Sequence, residues 1–389
     1  MHTRNNLSAE QLGLLFGRVF EIRHGDQRLA IMIDLPDGKF EDNPDWTWLR
    51  QTARQWRRDY PRRGDFALKG VDLLVYPATG NTNLPERVAV FNFDREPRHP
   101  QRLHYLQTEE ILLRYDIVVA MTKFSITRQL QTLAPKLHFR GATMPGFTAA
   151  MVPALFLDYT EIGRRVNALK RLLEEAVLAR VEFTVNNQAI KLDFDLRFNQ
   201  AMASTGYYPN PGMVGNLPTG EAYIAPYLGL RHPDEPSRTC GLWPVMNPDG
   251  LTIFRVENGR IVGVLNEDTV SCRELQKFLD EPGLAWIAEL GLGVVEGSGI
   301  EPVGGLLLDE KLIGIHVAFG ESAHGGEVTS ANFTDRNRAD HVDVIYTNGQ
   351  QICGTQILSA GIRPNLTLIF ADDSERVIMR DGRYVDGVF

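Results

Sequence analysis

Three of the nine histidines, His316, His324 and His341, fall close together in the C-terminal half of the chain. His341 is followed two positions later by Asp343. On a strand, residues i and i+2 share a face, so both side chains could hold one ion. His316 opens a second strand-like run, IHVAFG. Neutral imidazole with carboxylate suits Zn, Mn, Fe or Co. HVD alone also reads as a surface strand carrying polar residues. With His316 added, two histidines and one aspartate match the composition of a facial iron triad, although composition does not set geometry. Two carboxylates join this set. Glu221 follows a Pro-Thr-Gly turn that would hold it in a fixed place, and Glu289 sits among apolar residues in AELGLG. An ionised glutamate is costly to bury unless it is paired or bound to a cation. Their plainer readings are a turn-edge surface residue for Glu221 and a helix-end charge reaching solvent for Glu289.

Other chemistries find less support. The Trp/Arg segment Arg50–Arg63 is the most basic stretch, but it lacks a recognition motif and the chain as a whole is acidic. It reads as a helix with a buried Trp face and a solvated Arg face. GLGVVEGSG and FGESAHGG fit neither GxGxxG nor GxxxxGK[ST] spacing and read as turns. No GxSxG elbow is present, so a serine nucleophile has no supporting motif. Cys240, Cys272 and Cys353 show no CxxC spacing, which argues against a disulfide framework or a thiolate zinc site and fits a reducing compartment.

The elements that must position these groups follow from length and pattern. A chain of 389 residues suggests two domains, possibly three. Hydrophobic residues at 43% and charged residues at 23% are ordinary for a globular protein. The net charge of −8 gives no global attraction for nucleic acid or anionic membranes. No secretion signal is read at the N-terminus, and the most apolar stretch, GFTAAMVPALFL, is too short to span a bilayer. The expected location is therefore cytoplasmic. In the first half, β-rich runs (LAIMIDL, VDLLVYP, RVAVFNF, DIVVAMTKF) alternate with helical patterns. Ser8 and Gln11 form a capping-box pattern, and Trp46, Leu49, Ala53 and Trp56 share one helical face. Such alternation predicts an α/β domain with a mostly parallel sheet over 1–180. Beyond that point strands and Asn-Gly turns dominate, so a mostly antiparallel β domain carrying the metal site is expected over 181–389. SCRELQKFLDEPGLAWIAELG is read there as the one convincing helical stretch.

Taken in order, NLPTGEAYIAP (216–226), AELGLG (288–293), LDEKLIGIHVAFG (308–320) and HVD (341–343) resemble the metal-dependent aminopeptidase T family. The resemblance covers mainly residues 180–350. It implies two divalent ions (Zn, Co, Mn or Mg) held by Glu221, Glu289, His316, His341 and Asp343, with Glu289 or Asp343 bridging and Glu289 returning a proton to the leaving amine. It also implies a homodimer acting on a peptide or small amide substrate. Asp309 and Glu310 are expected to orient His316 or bind a substrate amine. The family commonly carries a tyrosine ligand about seven residues after the first histidine. Here that position is Ala323, with His324 beside it as a stand-in. A more distant resemblance is to the Fe(II)-dependent 2,5-dihydroxypyridine dioxygenase, which uses only the two histidines and the aspartate. Retention of both glutamates favours the hydrolase. A specialised biosynthetic or binding protein that keeps the fold is the third reading.

Overall fold

The computed structural model describes residues 6–22, 28–60, 68, 70–92, 97, 103–232, 234–322, 325–335 and 339–389. The chain divides into two compact units. One comprises Met1–Tyr159 with Gly206–Thr219, the other Thr160–Thr205 with Gly220–Phe389.

The first unit is built on a seven-stranded sheet. Five strands run parallel, in the order Val214–Asn216, Arg140–Thr143, Ile117–Ala120, Arg28–Leu35 and Gly70–Pro77. Arg87–Val90 and Tyr105–Gln107 add antiparallel at one edge. Its central strand is buried along nearly its whole length, as a parallel strand flanked by helices must be. The expected capping box forms at Ser8 and Gln11. In the helix Pro44–Asp59 the predicted face, Trp46, Leu49, Ala53 and Trp56, is buried. Arg50, expected on a solvated face, is instead buried and forks onto Asp42. Arg62 and Arg63 lie outside the described residues. Ligands of open α/β sheets bind beyond the carboxyl ends of the strands. Here the end of Arg28–Leu35 is closed. Buried Asp34 accepts from Trp46 Nε1 and from the amides of Lys123 and Phe124, beneath a Phe40–Trp46–Phe124 ring cluster.

The division falls after Tyr159, earlier than the change of sequence texture near 180, and Gly206–Thr219 belongs with the first unit. That segment supplies the edge strand Val214–Asn216, whose partner Arg140–Thr143 lies some 70 residues earlier. Local periodicity carries no trace of such a pairing.

The second unit contains two antiparallel sheets. One has eight strands, running from Arg260–Val264 at one edge to Arg383–Tyr384 at the other. The other has seven, in the order Gln356–Leu358, Gln350–Cys353, His341–Thr347, Gly314–Gly320, Ile287–Gly293, Glu221–Ile224 and Met202–Ser204. Phe183 packs on Tyr346 at 5.0 Å and Trp243 on Phe319 at 6.0 Å, joining the sheets through a shared apolar core. Asn186 and Asn187 form the expected turn, both with positive φ. One expectation fails here. The helix Thr269–Asp280 stops before Pro282, and Ile287–Gly293 is a strand buried along its whole length. Pro282 and Gly283 break the helix, and the apolar run IAELGLG then pairs on both sides.

Register decides which side chains meet. Glu221 pairs with Gly293 and Tyr223 with Gly291. Gly291 pairs with His316 and Glu289 with Ala318 in one continuous register, and the shift comes only between Ile287 and Glu289. Ala318 pairs with Asp343 and Gly320 with His341. Directly paired residues project to the same face. Glu221, Tyr223, Glu289, His316, His341 and Asp343 therefore share one face of the seven-stranded sheet. The residues between them on that face are Gly291, Gly293, Ala318 and Gly320. The opposite face, with Ile224, Leu290, Val317 and Val344, is buried and apolar.

These small residues make room for the large polar ones. A Cβ on Gly291 would lie 1.9 Å from the His316 ring. A Cβ on Gly293 would lie 2.1 Å from the Leu312 carbonyl, which crosses over it. Gly291→Ala should therefore force the His316 ring to move and cost about 1–3 kcal/mol of stability. Urea unfolding of the variant beside wild type checks this, and equal midpoints and slopes would contradict it.

Candidate metal centre

All five side chains expected to bind metal converge on this sheet face. Glu221, Glu289, His316 and Asp343 are buried, and His341 is about a quarter exposed, 27% by side chain. Glu289 stands at the middle and its two oxygens part. Oε1 lies 2.9 Å from His316 Nε2, and Oε2 lies 4.0 Å from His341 Nε2. Glu221 Oε2 is 3.8 Å from His316 Nε2, and Asp343 Oδ1 is 3.4 Å from His341 Nε2. Two groups of potential ligand atoms, each lying within 4.8 Å of one another, result: Glu221 with Glu289 and His316, and Glu289 with His341 and Asp343. Glu289 belongs to both, while the two histidines fall in different groups.

The donor set fits divalent cations. Carboxylate oxygens and imidazoles are the ligand types such ions take. Glu221 Oε2, His316 Nδ1 and Asp343 Oδ1 are buried with no hydrogen-bond partner among the described residues. Burying such atoms unsatisfied costs stability unless something binds them. Among the described residues, four carboxylates gather here once Glu310 is counted, against the one ammonium of Lys311, a formal excess of three negative charges.

Lys311 is a charged side chain of this cluster that sequence reasoning passed over. Its ammonium is fully buried, lies 2.5 Å from Glu221 Oε1 and also contacts Glu310. A lysine inside LDEKLIGIHVAFG, apolar on its C-terminal side, was the available signal. A buried lysine requires a partner, and Glu221 and Glu310 provide two. Burial would lower its pKa, but the charges of Glu221 and Glu310 outweigh that and raise it.

The structure does not bear out the orienting role expected for Asp309 and Glu310. Asp309 accepts from the amides of Val303 and Gly305, which fixes the loop ahead of the His316 strand. Glu310 pairs with Lys311. Neither contacts the His316 ring, whose Nε2 faces Glu289. His324 lies outside the described residues. Tyr223, on the site face, is a further group unnamed at the sequence level. Burial, then the charges of Glu289 and Glu221, raises its pKa and keeps the phenol protonated.

The histidine protons report the same charge excess. Burial pushes the His316 pKa down, but the bond to Glu289 and the charges of Asp343, Glu289 and Glu221 prevail and raise it to about 9. His341, also opposed by burial, is raised to about 10, chiefly by Asp343. Both values lie above the ordinary 6.5, so the metal-free folded state binds these protons more tightly than the unfolded chain. Their contribution to stability is fully present below pH 6.5 and is lost as pH rises through about 9 to 10. Chelator-treated protein should therefore lose urea resistance across that window, and His316→Asn should lose less of it. A loss of equal size in both proteins would contradict this account.

No family model matches the chain, and no curated protein sequence matches it. Among solved structures, 2,5-dihydroxypyridine dioxygenase from Pseudomonas putida KT2440 aligns over 98% of each chain, with 17% identity and a TM-score of 0.62. Wild-type AmpT from Thermus thermophilus aligns over 97% of this chain and 98% of its own, with 16% identity and a TM-score of 0.48. The resemblance read from sequence named the same two kinds of protein. A mixed α/β architecture, with one mostly parallel and two antiparallel sheets, is the fold this chain shares with the dioxygenase.

Proposed function

We propose that this chain is a metal-dependent hydrolase of amide bonds, an aminopeptidase that removes N-terminal residues from peptides. The observation that carries the reading is the membership of Glu289 in both ligand groups. Glu221, Glu289 and His316 would hold one divalent ion (Zn, Co, Mn or Mg), and Glu289, His341 and Asp343 the other. When bound, such a pair supplies an acidified water and polarises the scissile carbonyl. The remaining work falls to the chain's own groups. In this reading both oxygens of Glu289 are committed to the ions, so the return of a proton to the leaving amine, expected of it from the sequence, needs another group. Glu310 can exchange a proton near neutrality, because burial raises its carboxyl to about 7 against the pull of Lys311. Tyr223 presents a protonated phenol on the same face. The surplus of carboxylates suits a substrate with a free ammonium. Homodimeric assembly and a cytoplasmic location belong to the same proposal. No helix among the described residues is long and apolar enough to cross a membrane.

A second reading is a mononuclear Fe(II) ring-cleaving dioxygenase using His316, His341 and Asp343. The fold shared with 2,5-dihydroxypyridine dioxygenase supports it. The separation of the two histidines into different ligand groups weighs against it, as does the burial of Glu221 and Glu289 beside them. A specialised biosynthetic or binding protein on the same fold is the third.

The test strips the full chain with chelator, reloads it separately with Zn, Co, Mn, Mg and Fe(II), and assays an aminoacyl-anilide and 2,5-dihydroxypyridine with oxygen. The expected outcome is anilide hydrolysis with a non-iron metal, reduced roughly 100-fold or more in Glu289→Gln. Ring cleavage with Fe(II) and no anilide hydrolysis would overturn the proposal in favour of the second reading.

A further inference from the structure

The two ligand groups have the same composition, two carboxylates and one histidine each, with Glu289 common to both. Their surroundings differ in two independent ways. The first is the support of the histidine. His341 Nδ1 lies 2.7 Å from the Glu321 carbonyl, which accepts its proton. That bond fixes the ring with Nε2 facing Asp343 and Glu289. His316 lacks that support. Its Nδ1 has no hydrogen-bond partner among the described residues, and its Nε2 is engaged by Glu289. To ligate through Nε2, His316 must give up that contact, and among the described residues no acceptor holds its Nδ1 in place.

The second difference is the neighbouring cation. Lys311 Nζ sits 2.5 Å from Glu221 Oε1, so half of that carboxylate is already committed to an ammonium. Among the described residues only Oε2 is left without a hydrogen bond, on the side facing His316. Glu221 is thereby held to one-oxygen ligation, beside a fixed positive charge that repels an incoming cation. Asp343 is paired instead with His341, a ligand of the same group. The backbone that carries the ammonium is held in place. Val295 donates its amide to the Lys311 carbonyl at 2.7 Å, and the Lys311–Leu312 backbone crosses Gly293 where a Cβ would lie 2.1 Å from the Leu312 oxygen.

We infer that the two ion positions are unequal: the Glu289–His341–Asp343 position fills first and tightly, and the Glu221–Glu289–His316 position is a weaker, exchangeable one whose occupancy is set by Lys311 acting on Glu221. The inference rests on the two-ion reading above. Lys311 is a positioning residue in this account, because it acts through Glu221. A carbonyl partner of a ligating histidine is worth roughly 10- to 100-fold in metal affinity, which sets the scale of the inequality.

The test is titration of the chelator-stripped full chain with Mn2+, followed by calorimetry and by the electron paramagnetic resonance of free Mn2+. Wild type should bind two ions per chain in two steps separated by roughly tenfold or more. Asp343→Asn should remove the tight step, and Glu221→Gln should remove only the weak one. Lys311→Met should tighten the weak step by roughly tenfold without moving the tight one. Loss of the tight step in Glu221→Gln, or two equal steps in wild type, would overturn the inference and leave the two-ion reading standing. One ion per chain in wild type would overturn both. Should Lys311→Met fail to fold, the Asp343→Asn and Glu221→Gln pair decides the order of filling.

Discussion

The second unit is organised around a cluster of like charges held out of water. Glu221, Glu289 and Asp343 lie together on one sheet face, with Glu310 in the connection beside them and Lys311, among the described residues, as the one ammonium paired with Glu221 and Glu310. Carboxylates do not crowd together in a protein interior unless cations or protons compensate them. The raised histidine pKa values are the same constraint seen from the protein side. Without ions, His316 and His341 take up protons and supply part of the missing positive charge. Divalent ions bound to the same nitrogens would replace those protons. The glycines of the Ile287–Gly293 strand, the fixed turn at Lys311 and the tether from Asp309 all hold this arrangement in place.

The strand geometry accounts for how five candidate ligands from distant parts of the sequence meet. Each comes from a strand that pairs antiparallel with the next, so no loop has to close over the site to assemble it. Ligands placed on paired strands are held more firmly than ligands on loops. The small residues Gly291, Gly293, Ala318 and Gly320 separate the large ones on the same face. Gly291 in particular is the floor beneath the His316 ring.

Much of this was legible in the sequence, for reasons that differ by residue. His341 and Asp343 could be placed on one face because strand periodicity is strict. Glu221 and Glu289 were conspicuous as charges in apolar or turn-bound settings, and both are indeed buried. The strand around Glu289 was misread as the end of a helix, since AWIAEL is rich in helix formers and only Pro282 and Gly283 mark the break. Asp309 looked like a partner for His316 from proximity in sequence, but both its oxygens go to loop amides. Lys311 escaped notice because a lysine is ordinarily a surface residue. Its role depends on Glu221, ninety positions away. The pairing of Val214–Asn216 with Arg140–Thr143 was equally hidden, being a contact between segments with no local signature.

The central claim is that this sheet face holds two cations bridged by Glu289. Crystals of the full chain soaked in Mn2+, with diffraction measured at the manganese absorption edge, test it most directly. The account predicts two anomalous peaks per chain, one beside Glu221 and His316 and one beside His341 and Asp343, with the Glu289 carboxylate between them. A single peak ligated by His316, His341 and Asp343 together, with Glu221 and Glu289 turned away, would contradict it.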